Sequence, residues 1–244
     1  GFTGEEIKRR VEEMGLASDF INLQNGYSRI NVKMKDFDGT EINGQGPDIS
    51  PAETEKLLEK LDGLKEGDVL VLAGSIPRTM PDSIYSDILR RLDGKGILTV
   101  VDATGELLLH VLEYSPFLIK PNNHELGEIF QVKLETREDV VPYARKLQEK
   151  GARNVLVSMA GQGAVLLDEM GQVHMLPAPK GKLVNAVGAG DSMVAGFLAG
   201  WLTKKDYEYA FRMGISAGSA SAFSENLATK KEIEEVYRQV SQSA

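Results

Sequence analysis

The run Val187-Gly188-Ala189-Gly190-Asp191-Ser192 leads directly into Met193-Val194-Ala195-Gly196-Phe197-Leu198-Ala199-Gly200. The second half reads as a helix rich in small residues, able to pack closely on a sheet. The first half is a glycine-rich turn feeding that helix's N-terminus. Amides in a first helical turn have no intrahelical acceptor, and the helix dipole adds partial positive charge, so together they form a site for an anion such as phosphate. Asp191 stands in that first turn. Spacing alone is equally satisfied by an N-terminal cap whose glycines only permit a tight turn.

Other phosphate and nucleophile signatures fail on inspection. GxxxxGK[ST] does not occur, which excludes a P-loop. Met193 holds the place of the third glycine in GxGxxG, which argues against a dinucleotide fingerprint. Gly190-Asp191-Ser192-Met193-Val194 comes near a G-x-S-x-G elbow, but Val194 stands at the closing glycine. The chain has three histidines. His174 falls in an expected hairpin strand and His110 on an expected apolar helix face, so both read as structural. No two of the three share a ligating spacing on a helix or strand.

Elements that could position the glycine run follow from the periodicity. Thr3-Gly4-Glu5-Glu6 reads as a capping box opening a helix with Ile7, Val11 and Met14 on one face. Ile21/Leu23, 30–34 and 41–42 read as short alternating strands, separated by Asn25-Gly26 and Asp36-Phe37-Asp38-Gly39. They form a small antiparallel sheet with one apolar face. Ser50-Pro51-Ala52-Glu53 opens a helix running to about residue 61. Strands are then expected at 68–73, 97–101, 117–120 and 154–158, the first of them apolar enough to be buried on both faces. Helices are expected near 82–92, 107–112, 123–130 and 137–149. A hairpin of 163–168 and 173–177 follows, then helices at 190–202, 206–222 and 230–240, the last opened by Thr229 and Glu232. Repeated strand–helix units imply a doubly wound, mainly parallel α/β sheet with helices on both faces. Residues 20–47 read as a β lid on a core of 1–19 and 48–244.

Ligands of such sheets bind at the carboxyl ends of the strands. Those ends carry Ala73-Gly74-Ser75-Ile76-Pro77, Asp102-Ala103-Thr104-Gly105, Pro121-Asn122-Asn123-His124-Glu125 and Met159-Ala160-Gly161-Gln162-Gly163. Strand–helix loops favour turn residues in any protein. Their coincidence on one rim is the stronger observation.

Composition narrows the classes. The chain has 244 residues and no cysteine, excluding disulfides, Cys-ligated zinc, iron–sulfur clusters and thiol catalysis. Lys and Arg number 28 against 36 Asp and Glu, a net charge of −8 that argues against duplex binding, and basic runs such as Lys8-Arg9-Arg10 read as solvated helix faces. No apolar run reaches the ~20 residues of a membrane span. We expect a cytoplasmic protein without nucleic-acid or membrane partners. Glycine numbers 25, about 10% against a usual ~7%.

Taken together, these residues resemble the ribokinase-like, or PfkB, carbohydrate kinase family. Asn185-Ala186-Val187-Gly188-Ala189-Gly190-Asp191-Ser192 is similar to that family's GAGD motif, and Lys120-Pro121-Asn122-Asn123-His124-Glu125 to its N-x-x-E element. Ser158-Met159-Ala160-Gly161-Gln162-Gly163 resembles its nucleotide loop, with Ala160 in place of a usual glycine. Gly74-Ser75-Ile76-Pro77 and Ser28 to Lys33 resemble the branch acting on sugar phosphates. Residues 217–224 and 227–229 look most like kinases of fructose 1-phosphate, with tagatose-6-phosphate kinases as neighbours.

The resemblance implies ATP- and Mg²⁺-dependent phosphoryl transfer. It assigns Asp191 as general base and the Gly188, Ala189 and Gly190 amides as the hole for the transferring phosphoryl group. Lys120, Asn122, Ser158, Gly161 and Gly163 would bind ATP. Glu125 and Asn122 would organise Mg²⁺ through water or phosphate, and Arg29 and Ser75 would hold the sugar's phosphate. The expected reaction converts fructose 1-phosphate to fructose 1,6-bisphosphate. Tagatose 6-phosphate and fructose 6-phosphate are alternative acceptors, and a non-catalytic nucleotide-binding fragment is the alternative of another class. The apolar lid face leads us to expect closure over the site or a homodimer through the lid. Family members open with a strand bearing a sugar-binding Asp and a GGKG loop. No counterpart occurs here, so the expectation is a core short of one strand and part of its sugar site.

Overall fold

A computed structural model of the chain describes residues 1–34 and 41–242. In chain order its elements are α1 (Phe2–Glu13), β1 (Asn31–Lys33), β2 (Glu41–Asn43), α2 (Pro51–Leu61), β3 (Val69–Ala73), α3 (Ile84–Leu92) and β4 (Leu98–Asp102). Then come α4 (Gly105–Val111), β5 (Leu118–Ile119), α5 (Asn123–Phe130), α6 (Arg137–Glu149), β6 (Asn154–Ser158), β7 (Ala164–Leu167) and β8 (Val173–Leu176). Three helices close the chain: α7 (Ala189–Lys204), α8 (Tyr207–Phe223) and α9 (Lys230–Gln242). The chain divides into two compact units, the first made of Gly1–Asp68 and Gly74–Ile97, the second of Val69–Ala73 and everything from Leu98 onward.

In the first unit β1 and β2 pair antiparallel, with Val32 opposite Ile42. Both are exposed, so this small sheet does not bury its apolar residues within the chain. The turn expected at Asp36 to Gly39 lies outside the described residues. Ile21 and Leu23 form no strand; instead Ile21 and Asn22 line a groove with Lys56, Glu59 and Lys60 of α2. The N-terminal helix also differs from expectation, because α1 starts at Phe2 with Gly1 as its cap residue and no side-chain cap. Thr3 lies inside the helix, and its hydroxyl donates to the Ser28 carbonyl at 3.1 Å, a tertiary contact that removes it from capping. The basic run of α1 is solvated as expected, Arg9 and Arg10 both bonding Glu6. Ser50 and Glu53 form the expected capping box of α2, with Pro51 at its first position.

The second unit holds a six-stranded sheet in the order β3-β4-β5-β6-β7-β8. Strands β3 to β6 are parallel and β6 to β8 antiparallel. Alternation along the strands divides the core. Val100, Leu118, Leu156, Ala164 and Leu166 pack with Met193, Val194, Phe197, Phe211 and Ile215 of α7 and α8. Residues of opposite parity, such as Val155, Val157, Val165 and Leu167, are fully buried on the face where α6 meets β6 and β7. β3 is not buried on both faces as its apolar run implied. Among the described residues it is an edge strand of the sheet, and Val71 is 43% exposed. No helix among the described residues is long and apolar enough to cross a membrane.

Small residues let α7 and α8 approach closely. A side chain at Gly196 would stand 2.6 Å from both the Ala217 Cβ and the Met213 carbonyl oxygen. One at Gly218 would stand 2.9 Å from the Ala189 carbonyl oxygen, at the start of α7. Gly196→Ala should therefore destabilise the fold by about 1–3 kcal/mol through overpacking. Gly161→Ala, with no atom inside 4 Å, should stay within about 0.5 kcal/mol. Urea unfolding of the two variants checks this, and equal midpoints would count against the close packing.

Candidate active site

The rim of the second unit is organised around Lys120, the residue after β5. Its neighbours Leu118 and Ile119 pair with β4 and β6, so the backbone leaves little freedom where the side chain emerges. Lys120 is 6% exposed, and its Nζ lies 3.3 Å from Asp102 Oδ1 at the end of β4. Burial pushes the Asp102 carboxyl above its ordinary range; the Lys120 ammonium pulls it back, while the Glu125 and Asp191 carboxylates add to the rise. Three carboxylates thus share one corner with a single buried cation.

One residue past Pro121, Asn122 caps α5. Its Oδ1 accepts from the amides of His124 and Glu125, both at 2.9 Å, and Glu125 Oε2 accepts from the Asn122 amide at 2.8 Å. Asn122 forms an isolated parallel bridge with Ser158, whose amide donates to the Pro121 carbonyl at 3.2 Å. The asparagine–glutamate element and the glycine loop therefore meet at their bases.

After Ser158 the chain makes a short 3₁₀ turn over Ala160–Gln162. The Met159 amide donates to the Gly163 carbonyl at 2.9 Å and closes the loop. Gly163 has φ +94°, and a Cβ there would lie 2.0 Å from the Leu176 carbonyl oxygen, so no other residue fits. Ala160, at φ +46°, carries a side chain in the left-handed region, a cost of about 1 kcal/mol relative to ordinary backbone. Gly161 opens onto free space.

Gly188 begins α7 at φ +78°, in close contact with Leu227. The Ala189 amide donates to the Ala186 carbonyl and the Ser192 amide to the Gly188 carbonyl. Between them, the Gly190 and Asp191 amides are first-turn donors without intrahelical acceptors. A side chain at Gly190 would touch Lys120 Nζ at 3.3 Å, so the glycine keeps the ammonium beside the helix start. Asp191 is exposed and Ser192 is held by the Ser221 hydroxyl at 2.8 Å.

Arg29 and Ser75 belong to the first unit and meet there, Arg29 Nη1 donating to Ser75 Oγ at 2.7 Å. Both are exposed. A guanidinium and a hydroxyl converging in this way suit a phosphate oxyanion. The histidines stay outside these groups. His174 Nε2 lies 2.9 Å from the buried Asp168 carboxylate within the β7–β8 hairpin. His110 differs from expectation, since its side chain is 62% exposed rather than on an apolar face, near Glu106 of its own helix.

The profile of the pfkB family carbohydrate kinases matches residues 1–234. The chain belongs to this family. Among the relatives of this pfkB-family kinase, a Bacillus subtilis protein named 1-phosphofructokinase is 49% identical over 98% of the chain and 78% of its own length. A Bacillus licheniformis protein named D-tagatose-1-phosphate kinase is 32% identical over 98% of the chain and 79% of its own length. The crystal structure of Escherichia coli phosphofructokinase-2 in complex with fructose-6-phosphate superposes with a TM-score of 0.86 at 25% identity. That alignment covers 99% of the chain and 79% of the other. A second structure of the E. coli protein is its tetrameric inhibited form. The ribokinase-like fold expected from the motifs is thus the fold of this kinase.

Asp102 is the group that sequence reasoning passed over. It stood on the rim without a role, although an acid ending one strand and a lysine ending its parallel neighbour are a legible pairing signal. Removing the lysine tests the pair. Lys120→Met should cost about 2–4 kcal/mol at pH 7, because Asp102 is left buried and ionised without its counter-ion. A carboxyl whose folded pKa is raised costs the fold nothing below its unfolded pKa, and the cost grows as pH rises through the folded one, so the deficit should shrink as pH falls and Asp102 takes up a proton. Urea midpoints measured from pH 7 down to pH 4 read this directly; a pH-independent deficit would contradict it.

Proposed function

We propose that this kinase transfers the γ-phosphoryl group of ATP to fructose 1-phosphate, giving fructose 1,6-bisphosphate and ADP. The observation that carries the reading is the start of α7. There two first-turn amides, a buried ammonium and an exposed carboxylate adjoin one another on a family-wide motif. The 49% identity to a protein named 1-phosphofructokinase supports the choice of acceptor. The tagatose-1-phosphate kinase relative supports the class, a ketose already carrying a phosphate.

In this reading Asp191 takes the proton of the acceptor hydroxyl. The hydroxyl oxygen bonds to the γ-phosphorus as the bond from that phosphorus to the β–γ bridging oxygen breaks. The Gly188, Gly190 and Asp191 amides meet the charge on the equatorial oxygens; the Ala189 amide, expected to join them, is held by the Ala186 carbonyl. Such positioned donors and charges are the main resource of phosphoryl transfer, each worth on the order of 10²–10³ in rate. Lys120, Asn122, Ser158, Gly161 and Gly163 hold the nucleotide, and Arg29 with Ser75 holds the phosphate on the sugar. Residues 20–47 serve as the lid. Its exposed Val32 and Ile42 favour closure over a ligand or pairing with a second lid.

Magnesium fits the residues present in a particular way. Among the described residues no three carboxylates or histidines form a ligating cluster. Asn122 Oδ1 and Glu125 Oε2 are already engaged in the α5 cap. The chain supplies negative charge without a cage, as suits an ion that keeps waters and phosphate oxygens as ligands. Glu125 and Asn122 would hold it through those ligands, and the ion would neutralise phosphate charge. A cytoplasmic location agrees with ATP as donor.

A coupled ADP-release assay with fructose 1-phosphate, tagatose 6-phosphate and fructose 6-phosphate tests the proposal. The highest kcat/KM is expected for fructose 1-phosphate. ATP binding without turnover on any of the three would instead favour a non-catalytic nucleotide-binding module. Asp191→Asn should lower kcat by at least ~10² while ATP affinity is kept; near-normal turnover removes Asp191 from its role. Arg29→Ala should raise KM for the sugar phosphate by about 10–100-fold with little change for ATP. Equal losses for both substrates would contradict the assignment.

A further inference from the structure

We infer that the connection over 131–135 is a strut fixing the spacing between the Asn122–Glu125 cap and the glycine loop, with Asn123 and Gln162 as its fasteners. The inference rests on the reading of these two loops as the nucleotide site and assigns them positioning residues.

The connection is short and tied at both ends. Gln131, at φ +55°, ends α5, and its amide returns to the Glu128 carbonyl at 3.3 Å. The Val132 amide returns to the Gly127 carbonyl at 2.9 Å, so close that a side chain at Gly127 would lie 2.4 Å from the Val132 oxygen. Leu134 is buried. At the far end the Glu135 and Thr136 amides both donate to Asp139 Oδ2, at 3.1 and 2.8 Å, as α6 begins. Each end of the segment is thus anchored to a helix.

Two successive carbonyls of this segment then receive one side-chain amide from each loop. Asn123 Nδ2 donates to the Leu134 oxygen at 2.8 Å, and Gln162 Nε2 donates to the Glu135 oxygen. Asn123 directly follows the capping residue Asn122, and Gln162 sits in the 3₁₀ turn between Ser158 and Gly163. At their bases the loops are joined by the Ser158–Pro121 bond. The strut therefore supplies a second attachment between the two loops, at the outer end of the 3₁₀ turn. Gln162 is exposed and 27 residues from its acceptor, so its bond is poorly placed to serve the core. Its position suits pre-ordering of a loop before a ligand arrives, which lowers the ordering cost of binding.

Equilibrium binding of a ribose-labelled fluorescent ATP, followed by initial rates, tests the strut. Gln162→Ala should weaken ATP binding about five- to tenfold, the loss expected for one hydrogen bond. KM for ATP should rise in parallel, with kcat, KM for the sugar phosphate and the thermal midpoint unchanged. Asn123→Ala should act in the same direction. The double variant should lose less than the product of the single losses, because releasing one fastener already frees the loop. Unchanged ATP binding in Gln162→Ala, strict additivity, or equal losses for ATP and sugar phosphate would overturn the strut while leaving the kinase reading intact. A wild-type chain that does not bind ATP would overturn both.

Discussion

A buried ammonium cannot be left without a counter-charge, and in the second unit that requirement sets the layout of the rim. Lys120 emerges from the end of β5 with almost no solvent access. Asp102, on the adjoining parallel strand, supplies the partner at 3.3 Å. A Cβ at position 190 would lie 3.3 Å from the same ammonium, so glycine there lets the start of α7 stand close beside it. Two strands and one helix are thereby held in a fixed relation by one charge. Pairing of this kind adds little net stability compared with an apolar substitute, but leaving either partner alone is costly. It is better understood as a device for holding functional groups in place than as a source of stability.

The helix that carries those groups is positioned by packing of a different character. Gly196 and Gly200 on α7, and Gly214 and Gly218 on α8, replace side chains with backbone contact. Gly218 faces the Ala189 carbonyl in the first turn of α7, and Ser221 reaches Ser192 one turn below. The first turn is therefore registered against α8 from one side and against Lys120 from another. Amides aimed at an anion need such constraint, since their benefit depends on being oriented before the ligand arrives.

Much of this was readable from the sequence where the signal is local. The bounds of α5, α6 and β6, the capping boxes at Ser50 and Thr229, and the β7–β8 hairpin depend on contacts within about four residues or between adjacent strands. The misread features depend on distant partners. Thr3 has the pattern of a capping residue, yet its hydroxyl is taken by Ser28, 25 residues away. Ile21 and Leu23 alternate like a strand but have no strand to pair with. The apolar run of β3 says nothing about which strand stands at the sheet's edge. The site divides in the same way. Asp191, Gly188 and the Asn122–Glu125 cap could be found by motif, whereas Asp102 and the 131–135 connection become visible only when neighbouring strands and loops are placed side by side.

Charge in this corner also bears on what can bind there. The Glu125 and Asp191 carboxylates are close enough to push the Asp102 carboxyl up, and one ammonium opposes them. Counted simply, three carboxylates and one lysine leave an excess of negative charge. A polyphosphate approaching that corner would be repelled unless the amides and added cations outweighed the excess. Burial already lessens the problem by holding the Asp102 carboxyl above its ordinary range, which weakens its charge as pH falls. The chain as a whole, at a net charge of −8, offers no compensating field. A divalent ion carried in with the nucleotide would convert the same carboxylates from a barrier into an attraction. The acidic corner and a metal-complexed nucleotide are thus complementary where the corner and a bare nucleotide are not, a constraint that follows from charge alone.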